Sequence, residues 1–111
     1  MATQSVDPRT GMPFGPQLAD TDAAALDTVI GAAVAAAPQW AATSRAARAT
    51  ALSAVADRLD AASESLVALA DSETALGVGR LTGEVARTTF QLRMFAALLG
   101  EPSYLPALVD D

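Results

Sequence analysis

The stretch Leu81 to Leu99, reading LTGEVARTTFQLRMFAALL, carries the longest uninterrupted helical periodicity in the chain and constrains what the rest can do. Leu81, Val85, Leu92, Phe95 and Leu99 follow one another at offsets of four, seven, three and four, which stacks them into one apolar stripe. Phe90, Met94 and Leu98 form a second row beside it. A helix apolar over so much of its circumference is expected to be buried on more than one side. Thr82 is the expected N-cap, and Gly100 followed by Pro102 the expected stop. The other elements should pack around this helix.

A chain of 111 residues supports one domain or a piece of one. Of its 57 hydrophobic residues 27 are alanine, so the larger apolar side chains suffice for a small helical core and no more. The net charge is -6, and the seven basic residues are all Arg, scattered and without aromatic interleaving. Nucleic-acid binding needs a clustered basic face, so that class is set aside, and no apolar run approaches the roughly 18 residues of a membrane span. The opening MATQSVDPRTG has no secretory pattern, and with no Cys there is neither a disulfide framework nor a thiolate nucleophile. The expected location is cytoplasmic. The absence of His removes the usual zinc ligand and the commonest general base, so no catalytic or metal-binding residue is assigned.

Taken in order, residues 1–19 read as an extended arm with turns at Asp7-Pro8-Arg9-Thr10-Gly11 and at Pro13, Gly15 and Pro16, and with Phe14 as its anchor. A first helix should start after Asp20 or Asp22 and run to about Ala37, with Leu26, Val29, Ile30, Ala33 and Ala37 on one face. Pro38 should end it, and Trp40 should plug the core beyond. A second helix, capped by Thr43 or Ser44, runs to about Ala62 with Ala49, Leu52, Val55, Ala56 and Leu59 inward. A bend between Asp60 and Ser63 leads to a third, capped by Ser63, from Glu64 to about Ala75, burying Leu66, Val67, Leu69 and Ala70. The segment after Gly100 carries two prolines and suits a strand that has no partner in this chain. The fold class is therefore mainly α: an extended arm, about four helices over 20–100, and the start of a severed strand over 101–111.

Three groups could carry chemistry. Gly77, Gly79 and Gly83 imitate a dinucleotide fingerprint, but that motif needs a strand before its first glycine, and here a helix precedes it, so a plain interhelical loop is expected. Asp71, Glu73 and Glu84 flank the same loop and read as a solvated rim. Arg87 lies three residues before Phe90 and seven before Met94, so the three share one side of the helix. An Arg at the edge of an apolar face can grip a substrate carboxylate with two hydrogen bonds or pair with an acidic residue of the fold.

The order of motifs resembles the N-terminal part of the aldehyde dehydrogenase superfamily. The carrying residues are Val6-Asp7-Pro8-Arg9-Thr10-Gly11, Ala36-Ala37-Pro38-Gln39-Trp40, Ser44-Arg45-Ala46-Ala47-Arg48, Leu69-Ala70-Asp71-Ser72-Glu73-Thr74-Ala75-Leu76 and Leu92-Arg93-Met94-Phe95-Ala96. The last is similar to a family Leu-Arg-Tyr-Tyr-Ala pattern. Glu73-Thr74-Ala75-Leu76-Gly77, Arg80-Leu81-Thr82-Gly83-Glu84 and Ser103-Tyr104-Leu105 are closest to the branch that oxidises 2,5-dioxopentanoate. Members often carry Gly-Lys-Pro after the acidic residue of the third helix, where this chain has Ala75-Leu76-Gly77.

The resemblance implies a parent α/β enzyme, an expected homo-oligomer, in which a cysteine thiolate attacks an aldehyde, hydride passes to NAD or NADP, and activated water releases the acid. The nucleophile, the general base and the cofactor site would all lie beyond Asp111, so the chain alone should bind no cofactor and be inactive. The helix matching Leu81 to Leu99 borders the substrate entrance in the family, which makes Arg87, Phe90 and Met94 entrance candidates. The rival reading is a stand-alone acidic helical module that binds a protein partner through its extended ends.

Overall fold

The structure, a computed structural model, describes residues 2–101. The strand expected after Gly100, with Ser103-Tyr104-Leu105, lies outside the described residues. The extended arm is a β-hairpin: β1 (Ala2–Val6) pairs antiparallel with β2 (Pro13–Ala19), Val6 opposite Pro13 and Ser5 opposite Phe14, with a register shift between Thr3 and Ser5. Its turn is built by Asp7, whose carbonyl accepts from Thr10 and Gly11 N–H while its carboxylate accepts from Arg9 N–H at 2.7 Å. Phe14 is half-buried.

Four helices follow: α1 (Ala23–Ala41), α2 (Arg45–Ala61), α3 (Ser63–Thr74) and α4 (Val78–Gly100). Asp22 caps α1 by accepting from Ala25 N–H at 2.8 Å, and Ser44 caps α2 by accepting from Ala47 N–H at 3.2 Å. The bend before α3 falls at Ala62, and Ala62 rather than Ser63 occupies the cap position, without a side-chain hydrogen bond. Pro38 does not end α1. The helix runs on to Ala41, because a proline here removes only the hydrogen bond to Val34 and the last turn closes through Ala42 N–H on Pro38 O. Arg48 then donates from Nη2 to Ala41 O at 2.8 Å, satisfying a carbonyl at the end of α1.

α4 packs on α2 and, less extensively, on α3. Leu81, Thr89 and Ala96 are its buried residues, and Val85, Leu92 and Leu99 are half-buried between them. Phe95, expected in this stripe, is exposed instead, because the inward positions continue as Leu81, Val85, Thr89, Leu92, Ala96 and Leu99. The second row of Phe90, Met94 and Leu98 is exposed as well, since among the described residues the packing of α4 is on α2 and α3, over its other side. Thr82 is an interior residue whose hydroxyl donates to Val78 O; the cap is Gly77, at φ 90°. On α2 Ala56 is buried and Val55 exposed, and on α3 Val67 is buried while Leu66 and Leu69 are exposed.

α1 stands apart, with none of its residues buried. Leu26, Val29 and Ile30 do share a face, but that face meets solvent, and Trp40 is 55% exposed rather than a core plug. The shape is correspondingly long: the radius of gyration is 19.7 Å, against about 13 Å for a compact chain of this length. The accessible surface is 8473 Å², where a compact protein of this mass exposes about 5,700 Å².

Candidate functional site

Two places gather the residues singled out by sequence: the α3–α4 junction and the outer face of α4. At the junction the chain leaves α3 through Ala75, in left-handed conformation at φ 56°, and enters α4 through Gly77. Asp71 organises this turn. Its Oδ1 accepts from Gly77 N–H at 2.9 Å and from Arg9 Nη2 at 2.8 Å, while Arg9 Nη1 donates to Asp71 O. The Arg9 guanidinium, followed by the Gly77 amide, holds the Asp71 carboxyl below the ordinary carboxylate range. One residue pair along, Ser5 donates its hydroxyl to Glu73 Oε1 at 2.6 Å. Arg9 has no local periodicity or motif that marks it as the partner of Asp71; only the folded hairpin brings them together.

This geometry decides the glycine cluster. Gly77 ends a helix-to-helix turn, and Gly79 and Gly83 lie inside α4. The Gly77 amide at the start of α4 donates to the Asp71 carboxylate, which already sets a negative charge at this helix end. Among the described residues no group of three or more His, Cys, Asp or Glu side chains comes together as metal ligands would.

On the outer face of α4, Arg87, Phe90 and Met94 are brought together on one exposed side. Phe90 is 66% and Met94 45% exposed. The Arg87 guanidinium sits 3.9 Å from Glu84 Oε2, a loose pair with a 70% exposed arginine side chain, which leaves its donors open to a further acceptor. Arg93, by contrast, is committed: it reaches Asp57 Oδ1 at 2.6 Å and Asp60 Oδ2 at 2.8 Å across the α2–α4 interface. An open groove of about 320 Å³ between α3 and α4 is lined by Val67, Ala68, Val78 and Thr82, away from Arg87. No described helix is long and apolar enough to cross a membrane.

Comparison with curated proteins gives no match. A sequence model described as the aldehyde dehydrogenase family matches residues 1–104, which is nearly the whole chain and contains both the Arg9–Asp71 junction and the outer face of α4; the chain belongs to the aldehyde dehydrogenase family.

Proposed function

We propose that this chain is the N-terminal segment of an NAD(P)-dependent aldehyde dehydrogenase, and that it serves as the helical flank against which the rest of that fold packs. The observation that carries the reading is α1, a 19-residue helix with a single charged residue, Asp27, and no buried one. A helix of that composition is stable in water only when its apolar side is covered. The surface beyond that of a compact chain, together with the bare row of Phe90, Met94 and Leu98, is of the size that an obligate interface covers.

The parent enzyme oxidises an aldehyde to the carboxylic acid with NAD or NADP, and the 2,5-dioxopentanoate branch is the closest in wording. A carboxylate-bearing aldehyde of that kind suits the open guanidinium of Arg87 at the edge of Phe90 and Met94. This chain has no cysteine to form the thiohemiacetal, so the polypeptide by itself has no dehydrogenase activity.

The solution state of the chain tests the reading against the stand-alone module. A segment with uncovered faces self-associates or binds a dye specific for exposed apolar surface, and its α1 unfolds without a sharp transition. A monodisperse monomer that binds no dye and unfolds in one cooperative step is the behaviour of the module and contradicts the reading.

A further inference from the structure

The attachment of the hairpin to the helices is unlike the packing of the helices on one another. Val6, Met12 and Leu18 stay exposed and Phe14 is only half-buried, so little apolar surface is covered where it docks. What bridges the gap is polar: the two donations of Arg9 to Asp71, with side chains 44% and 24% exposed, and the Ser5 hydroxyl on Glu73. Arg9 is itself held by the Asp7 carboxylate on its backbone N–H, so the turn presents the guanidinium to α3 ready-formed. From these contacts we propose that the hairpin, residues 2–19, is a latched arm: the Arg9–Asp71 pair is the latch, and when it opens the arm undocks and melts as one unit while α2, α3 and α4 stay folded.

The physical grounds are two. A lone two-stranded hairpin is marginally stable in water, so losing its dock removes its strand pairing too. An attachment made of half-exposed charges is weakened by salt, whereas α2 and α4 keep their apolar contact even where salt screens the Arg93 ion pairs at its edge. The helices therefore lose nothing when the arm leaves, except that Gly77 N–H keeps Asp71 as its acceptor without the arginine.

The test is hydrogen exchange on the full chain, followed amide by amide. In the unaltered protein, raising NaCl from ~0.05 to ~0.5 M should speed exchange of the paired amides of β1 and β2 together, and by a larger factor than the interior amides of α2 and α4, which keep their apolar contact. Arg9→Ala should speed the same hairpin amides by about threefold or more at low salt and abolish the salt response. Asp71→Asn, which keeps an oxygen for Gly77 N–H, should do likewise, and Arg9→Lys should fall between. Hairpin amides that ignore both salt and the substitutions overturn the proposal. So do hairpin and helix amides that always change in step, or a hairpin without protection in the unaltered chain. Should a variant lose its helical circular dichroism, the salt series on the unaltered chain decides alone.

Discussion

Arg93 of α4 and Asp60 of α2 meet at 2.8 Å, and the same guanidinium takes Asp57, one helical turn earlier, at 2.6 Å. One arginine thus clasps two carboxylates over the edge of the principal helix pair. The Arg93 guanidinium holds the Asp60 carboxyl below its ordinary range, as Arg9 does for Asp71.

The sign of the resulting pH dependence follows from linkage. A carboxyl whose pKa is depressed by folding adds stability above its unfolded value of about 3.9, and that share is lost as pH falls below this value toward the folded one. Urea midpoints should be level from about pH 7 to 5 and drop below about pH 4. In the double variant Asp60→Asn, Asp71→Asn, the midpoint at neutral pH should be lower and the acid drop shallower.

Burial separates two large residues on one helix. Leu81 is 8% exposed, so Leu81→Ala should cost about 2–3 kcal/mol in urea unfolding. Phe90 lies on the outer face, and Phe90→Ala should change stability by about 0.5 kcal/mol or less.

Ala75 occupies a left-handed position without being glycine, at φ 56°. The Cβ there costs conformational energy that glycine avoids, offset in part by the freer unfolded chain. Ala75→Gly should stabilise α3 and α4 by about 0.5–1 kcal/mol, measured by thermal or urea midpoint. Gly77→Ala, at φ 90°, should do the opposite.

The entrance reading of Arg87 makes a kinetic prediction. In the complete enzyme, Arg87→Ala should raise KM for a carboxylate-bearing aldehyde about tenfold or more and leave a neutral aldehyde nearly unaffected. Equal effects on both substrates would remove Arg87 from substrate recognition.

Local signals were legible in the sequence where a short-range hydrogen bond or a fixed period sets the outcome. Asp22 and Ser44 cap their helices through amides three residues on, and the stripe through Leu81, Val85, Leu92 and Leu99 turns inward, on the α4 that packs against α2 and α3, as its spacing requires. Thr89 and Ala96 escaped because one is polar and the other small, though both sit in that same stripe. Thr89 is tolerated there because its hydroxyl donates to Ala86 O in its own helix. Trp40, Phe95 and the Phe90 row were expected to be buried because size and hydrophobicity say only that a residue seeks cover, not that the chain provides it. Pro38 signals a stop in the sequence because the steric rule acts on the preceding residue, yet one more turn closes without the missing N–H. The Arg9–Asp71 pair joins residues far apart in the chain, and the turn motif that contains Arg9 does not say which carboxylate it meets. Of the candidate site, the shared side of Arg87, Phe90 and Met94 was readable from spacing, while the filling of the Gly77 amide by Asp71 needed the fold.

The most direct measurement of the central claim is the nucleotide sequence beyond the codon for Asp111, read in all three frames. If the chain is the first segment of an aldehyde dehydrogenase, the reading continues, in frame or after a shift, into a strand with a glycine-rich turn and later a cysteine. A stop codon with nothing of that kind in any frame would contradict the account and leave the polypeptide as a helical binding module of its own.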